Sequence, residues 1–129
     1  MRSRGSVYFR WLVVFGFAAL IYYCSSRPAW EVIPPLFPHF DKVLHFISYG
    51  IFAMLIFRAL WADDTRPAST GVLLLGVSLA MIYGVSDEFH QAFVPGREFS
   101  WLDMAANGAG AAVAAALWEV LTAFFPWLK

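Results

Sequence analysis

The sequence predicts an all-α integral membrane protein in which four transmembrane helices form one bundle. The 129 residues are 60% hydrophobic and only 14% charged, whereas about 25% of residues are charged in a typical soluble domain. The mean hydropathy of the chain is +0.63. Four apolar segments each approach the ~20 residues that cross the hydrocarbon core as a helix. These observations favour the lipid bilayer as the solvent of this chain.

The first predicted span covers about residues 7–24 and follows Arg2, Arg4 and Arg10. A short apolar core after basic residues is also typical of a secretory signal peptide. The end of the segment, Tyr22-Tyr23-Cys24, offers no small-residue cleavage site. We therefore expect an uncleaved span, and cleavage would leave the topology of the other spans unchanged.

The other predicted spans cover about residues 41–61, 69–86 and 102–125. Their continuous apolarity favours helices over the alternating pattern of membrane β-strands. The connections are too short for a soluble domain, so we expect a single domain over residues 1–129. The first connection is rich in proline, which restricts the backbone to extended geometry. It can be a simple tether or a lid over a site.

The distribution of Lys and Arg predicts the orientation, because basic residues are enriched on the cytoplasmic side. With the N-terminus inside, six basic residues are cytoplasmic and three are external. The cytoplasmic set is Arg2, Arg4, Arg10, Arg58, Arg66 and Lys129, and the external set is Arg27, Lys42 and Arg97. Both termini are therefore predicted to be cytoplasmic. Six tryptophans near the span ends predict aromatic belts at the two interfaces: Trp11, Trp30, Trp61, Trp101, Trp118 and Trp127.

Composition also excludes several functional classes. The formal net charge is zero, so no overall basic field indicates a nucleic acid partner. The single cysteine, Cys24, excludes a disulfide framework or a cysteine metal cluster within one chain. The predicted partner is the lipid bilayer, and no cofactor is predicted.

Polar residues concentrate at the predicted outer end of the bundle. At the start of the second span, Lys42, His45 and Tyr49 follow one helix face, and Asp41 lies four residues before His45. A second concentration runs from the end of the third span into the fourth. Its candidate residues are Asp87, Glu88, Gln91, Arg97, Asp103 and Asn107.

A predicted turn and a predicted N-cap lie within this second concentration of polar residues. Pro95-Gly96 predicts a tight turn, with Gly96 tolerating positive φ. Ser100 is the predicted N-cap of the fourth helix, with Asp103 as the N3 residue of a short capping box. Further along, the small residues Ala106, Gly110 and Ala114 permit close helix packing in lipid. This small-residue ridge can serve an internal contact or a homo-oligomer.

These two concentrations together resemble the VanZ-like family of bacterial membrane proteins over about residues 41–115. The resemblance implies a protein of the bacterial inner membrane and the cell envelope, with an expected contribution to tolerance of the glycopeptide teicoplanin. It implies no particular reaction. The matching segments, in chain order, are Asp41-Lys42-x-x-His45-Phe46-x-x-Tyr49, Asp87-Glu88-x-x-Gln91, Pro95-Gly96-Arg97 and Ser100-x-x-Asp103-x-x-x-Asn107-x-x-Gly110.

The polar residues suggest an enzyme acting on an envelope substrate with a phosphate or carboxylate group. His45, Glu88 and Asp103 are the candidate catalytic residues, since carboxylates and a histidine supply general acid–base chemistry. Arg97 and Lys42 are candidate anion ligands. The remaining candidate substrate-binding residues are Asp41, Tyr49, Asp87, Gln91 and Asn107.

Four alternatives to an enzyme come from the same residues. The cluster can be a structural network that fixes helix register, or the site of a non-catalytic binding or accessory protein. A metal site using Asp41, His45, Glu88 and Asp103 has suitable donor atoms, but no compact zinc motif is present, so no metal is predicted. A proton-coupled transporter would place its ionisable groups near the bilayer centre, and here they lie near one end.

Overall fold

The computed structural model describes residues 4–28, 31, 34–61 and 68–125, without the side chains of residues 4 and 5. Its four helices are α1 (Arg4–Ser25), α2 (Phe40–Leu60), α3 (Thr70–Gln91) and α4 (Trp101–Phe124). All four are long and apolar enough to cross a membrane, which confirms the predicted all-α membrane bundle. Several residues used to predict orientation and aromatic belts lie outside the described part: Arg2, Trp30, Arg66, Trp127 and Lys129.

Helix α3 is longer than its predicted span, because it ends at Gln91 and not at residue 86. Hydropathy falls at Asp87 and Glu88, so an apolar criterion ends the span there. The helix continues because these side chains are buried in the bundle, with 4% and 0% of their surface exposed. Buried polar groups that find partners on neighbouring helices need not interrupt a helix.

Helix α2 packs most extensively against α4. The two backbones are so close that a Cβ atom on Gly110 would overlap the carbonyl group of Phe46. A Cβ atom on Gly50 would lie 3.3 Å from the Gly110 carbonyl oxygen. Gly110 on the small-residue ridge is therefore in contact with α2 within one chain, Ala114 is buried, and Ala106 is partly buried.

An aromatic cluster fills the half of the bundle away from the polar residues. Trp118 is fully buried, and its ring lies 5.4 Å from that of Phe57 and 6.1 Å from that of Trp61. Trp61 is also buried, with 5% exposed. The predicted aromatic belt is therefore wrong for these two tryptophans, which pack inside the bundle, whereas Trp101 is 75% exposed.

Helix α1 packs against α2 and, to a smaller extent, against α3. The Tyr83 hydroxyl on α3 donates a 2.6 Å hydrogen bond to the carbonyl oxygen of Ala18. Near the start of α1, the buried Arg10 guanidinium donates a 2.8 Å hydrogen bond to the carbonyl oxygen of Arg58. The ends of α1 and α3 meet the starts of α2 and α4, and we call this region the polar end of the bundle.

Candidate functional site

A buried layer of polar side chains links three helices at the polar end. We call His45, Tyr49, Asp87, Glu88 and Asn107 the inner cluster. His45 Nδ1 lies 2.9 Å from Asn107 Oδ1 and 3.8 Å from Glu88 Oε1. The Tyr49 hydroxyl donates a 3.2 Å hydrogen bond to Asp87 Oδ2. The predicted i,i+3 and i,i+7 spacing on α2 thus brings His45 and Tyr49 to the acidic end of α3.

Gln91 connects the inner cluster to the surface of the polar end. Its Nε2 donates to Asp87 Oδ2 at 3.2 Å and to the Ser25 hydroxyl at 3.3 Å. Its Oε1 accepts a 2.5 Å hydrogen bond from Arg97 Nη2. Both the Nε2 and the Oε1 of Gln91 are therefore hydrogen-bonded. They link the last turns of α1 and α3 to the connection before α4.

That connection contains the predicted tight turn. The backbone N–H of Arg97 donates a 3.0 Å hydrogen bond to the carbonyl oxygen of Val94. Gly96 has φ 75°, a left-handed conformation that favours glycine. The Pro95-Gly96 turn is therefore confirmed, and it places Arg97 beside Gln91.

The start of α4 confirms Ser100 as the N-cap, since its hydroxyl accepts a 3.2 Å hydrogen bond from the backbone N–H of Asp103. The second half of the predicted capping box differs. The Ser100 backbone N–H donates a 3.1 Å hydrogen bond to Glu88 Oε2 on α3, not to Asp103. The Asp103 carboxylate is therefore free to bind a cation.

Lys42 is that cation. Its ammonium group lies 2.8 Å from Asp103 Oδ1 and 2.5 Å from Asp41 Oδ2. The Asp103 side chain is 9% exposed, whereas that of Asp41 is 59% exposed. Hydrogen bonds and ion pairs therefore run without interruption from Glu88 through Ser100, Asp103 and Lys42 to Asp41.

An open pocket of about 1300 Å³ lies above these residues. We call it the outer pocket. One wall comes from the proline-rich segment before α2, so the connection predicted as a tether or a lid contributes to the pocket. The lining residues are Pro34, Pro35, Phe37, Pro38, His39, Phe40, Asp41, Lys42, Leu44, Gln91, Gly96, Arg97, Glu98, Phe99, Ser100, Trp101, Leu102 and Asp103.

The predicted site residues thus fall into two layers. Asp41, Lys42, Gln91, Arg97 and Asp103 line the outer pocket. The members of the inner cluster lie behind that lining and do not belong to it. Of the three candidate catalytic residues, only Asp103 faces the pocket.

The inner cluster has unused hydrogen-bonding capacity. Among the described residues, Asp87 Oδ1, Glu88 Oε1 and Asn107 Nδ2 are buried without a hydrogen-bond partner. Buried polar atoms of this kind are uncommon in folded proteins. A buried water molecule or an ion can satisfy such atoms.

The residues able to hold a metal differ from those considered in the sequence. Asp41 and Asp103 both bind Lys42. Asp87 instead joins His45 and Glu88, and one ligand atom from each of these three residues lies within 4.8 Å of the others.

Sequence reasoning missed two residues of this region. Ser25 is buried at the end of α1 and accepts the hydrogen bond from Gln91. Gly84 makes room for the inner cluster, since a Cβ atom there would lie 3.1 Å from both Asn107 Nδ2 and Tyr49 Cε1. The available signal for Gly84 was its position one helical turn before Glu88.

The four apolar helices and the polar layer buried between them define a multi-pass membrane protein. The chain belongs to the VanZ/LLP1 family, because the model of that family matches residues 3–122. No curated protein and no solved structure matches the chain.

Proposed function

We propose that the outer pocket binds the anionic headgroup of a cell-envelope lipid or lipid-linked precursor, and that this binding contributes to glycopeptide tolerance. The proposal places the protein in the bacterial inner membrane with the polar end outside. The observation that carries it is the position of Arg97 and Lys42 in the lining of one pocket at the polar end of the bundle. Phosphates and carboxylates of envelope lipids lie at the surface of the bilayer, where the ends of transmembrane helices are expected.

Arg97 is the main anion ligand in this proposal. Its side chain makes one hydrogen bond to Gln91, whereas a guanidinium has five N–H donors arranged for bidentate binding of a phosphate or carboxylate. Lys42 also lines the pocket, held between Asp41 and Asp103. A bound anion would draw the ammonium group of Lys42 away from Asp41, the more exposed of its two partners.

Asp103 is the residue that would transfer a proton to or from the bound group. It lines the pocket, and it is fixed at the first turn of α4 by the Ser100 cap. Glu88 supports this geometry from beneath, because it holds the backbone N–H of Ser100. Glu88 is therefore a positioning residue, with His45 Nδ1 3.8 Å from its other oxygen, and Asp103 is the proposed acid–base group.

Susceptibility to teicoplanin tests the proposal in a glycopeptide-susceptible bacterial host. Expression of the wild-type chain is expected to raise the inhibitory concentration, and Arg97→Gln is expected to abolish the increase at equal protein level. Arg27→Gln is the matched control, because Arg27 is also at the polar end but forms an exposed ion pair with Glu31. Full protection by Arg97→Gln would contradict the proposal.

A second candidate function is a non-catalytic accessory role, with the polar residues serving as a structural network. The satisfied contacts of Lys42 with Asp103 and of Arg97 with Gln91 favour it. It predicts that Asp103→Asn retains the phenotype while Asp103→Ala lowers thermal stability. Under the acid–base proposal, Asp103→Asn is as damaging to the phenotype as Asp103→Ala.

A further inference from the structure

We infer that the inner cluster is a binding site for a divalent cation, with His45, Asp87 and Glu88 as its protein ligands. One ligand atom from each residue lies within 4.8 Å of the others. Such a group needs only small side-chain movements to surround an ion at the ~2.0–2.2 Å distances of nitrogen and oxygen ligands. Asp87 and Glu88 are 4% and 0% exposed, so these carboxylates face the protein interior and not the solvent.

The two buried carboxylates of the cluster favour a bound cation. The described lysine and arginine side chains at the polar end are engaged elsewhere: Lys42 with Asp41 and Asp103, Arg97 with Gln91, and Arg27 with Glu31. The basic group beside Glu88 is His45, at 3.8 Å. Two adjacent buried carboxylates are unfavourable while both are ionised, and one divalent ion would compensate both charges.

The hydrogen bonds arrange each carboxylate as a metal ligand. Glu88 Oε2 is held by the Ser100 backbone N–H at 3.1 Å. Asp87 Oδ2 is held by the Tyr49 hydroxyl and by Gln91, both at 3.2 Å. The other oxygen of each group, Glu88 Oε1 and Asp87 Oδ1, is buried and has no hydrogen-bond partner among the described residues.

The His45 ring is placed by the 2.9 Å contact between its Nδ1 and Asn107 Oδ1, and the same nitrogen lies 3.8 Å from Glu88 Oε1. Carboxylate ligands of metals in proteins are typically fixed as Asp87 and Glu88 are here, with one oxygen bonded to the surrounding protein and the other available to the ion. Tyr49, Gln91, Ser100 and Asn107 are the supporting groups here.

The donor set indicates the class of cation. One imidazole nitrogen and two carboxylate oxygens suit a first-row divalent ion such as Mn²⁺ or Zn²⁺. Calcium requires six to eight oxygen ligands. Three protein ligands leave coordination positions open. Because the cluster lies behind the outer pocket, the cation would also hold the end of α3 against α2 beneath the proposed headgroup site.

Cation binding can be measured on the full chain, purified in detergent without a polyhistidine tag and treated with a chelator. Titration calorimetry with Mn²⁺ and, separately, Zn²⁺ is expected to show about one ion per chain. Asp87→Asn and Glu88→Gln are each expected to weaken binding at least about tenfold, the loss that even supporting groups of metal sites commonly cause. Asp41→Asn is the matched control, because Asp41 is an exposed carboxylate at the same end.

Pulsed electron paramagnetic resonance of the Mn²⁺-loaded wild-type chain tests the ligand identity without relying on a variant. We expect a nitrogen coupling that disappears in His45→Gln and persists in His90→Gln. Absence of stoichiometric binding, or bound Mn²⁺ without nitrogen coupling, would overturn the inference. Lys42→Met removes a proposed headgroup ligand that contacts Asp41 and Asp103 and not the supporting groups. It is expected to retain full cation affinity, so failure of the cation site and failure of the headgroup proposal are separate results.

Discussion

The hydrogen atom that serves as the side chain of Gly110 sets the distance between α2 and α4. A methyl group at this position would overlap the Phe46 carbonyl group, which belongs to a helix backbone and cannot move by a rotamer change. Gly110→Ala is therefore expected to destabilise the protein by about 1–3 kcal/mol, the usual cost of overpacking. Thermal unfolding in detergent measures this loss. Gly16→Ala is the control, because a Cβ atom on Gly16 meets nothing within 4 Å, and equal melting temperatures for the two variants would contradict the packing described.

Lys42 has two carboxylate partners, and their burial predicts unequal contributions. Asp41→Asn is expected to change stability by less than about 1 kcal/mol, because exposed ion pairs contribute little. Asp103→Asn is expected to cost more, since the side chain of Asp103 is 9% exposed and that of Asp41 is 59% exposed. Double-mutant cycles with Lys42→Met measure both couplings. A larger coupling of Lys42 with Asp41 than with Asp103 would contradict the assignment of Asp103 as the stronger partner.

At the scale of the element, α4 begins with two different supports at Ser100. Its hydroxyl caps the helix, and its backbone N–H is held by Glu88 on α3. Ser100→Ala removes only the cap and is expected to cost about 1 kcal/mol. Ser69→Ala at the start of α3 removes a similar cap, since the Ser69 hydroxyl accepts a 3.3 Å hydrogen bond from Val72 N–H. Chemical denaturation compares the two variants, and no loss in Ser100→Ala would exclude the cap as a support of α4.

The elements of the fold were predictable because hydropathy and local signals act over short distances. Four apolar runs predicted four helices, and Pro95-Gly96 and Ser100 predicted the turn and the cap between α3 and α4. The end of α3 was not predictable from hydropathy, because the helical state of Asp87 and Glu88 depends on partners from α2 and α4.

The division of the site into two layers was also not predictable from the sequence. Helical spacing placed Lys42, His45 and Tyr49 on one face, but depth along that face depends on how closely α4 approaches. Lys42 lines the outer pocket, whereas His45 and Tyr49 lie behind its lining. The inward direction of Trp118 also depends on helix packing, because its neighbours Phe57 and Trp61 come from α2 and the residue that follows it.

At the scale of the whole molecule, the predicted orientation places the polar end outside the cell. Cys24 provides a natural probe, since it is the single cysteine of the chain and is exposed near the end of α1. A membrane-impermeant thiol reagent added to intact cells is expected to label it.

Thr70→Cys in a Cys24→Ala background is the control, because Thr70 is exposed at the start of α3, at the opposite end of the bundle. This variant is expected to be labelled only after the cells are permeabilised. The reverse pattern would place the polar end in the cytoplasm and exclude external envelope ligands.

Native mass spectrometry of the purified chain with defined lipids tests most directly whether the outer pocket binds an anionic headgroup through Arg97. Wild type is expected to retain phosphatidylglycerol in preference to phosphatidylcholine. Arg97→Gln is expected to weaken the phosphatidylglycerol complex about tenfold or more, since a hydrogen bond to a charged group contributes about 1.5–3 kcal/mol. Arg27→Gln should bind as wild type does. Equal retention of the two lipids by wild type, or unchanged retention of phosphatidylglycerol by Arg97→Gln, would contradict headgroup binding through Arg97.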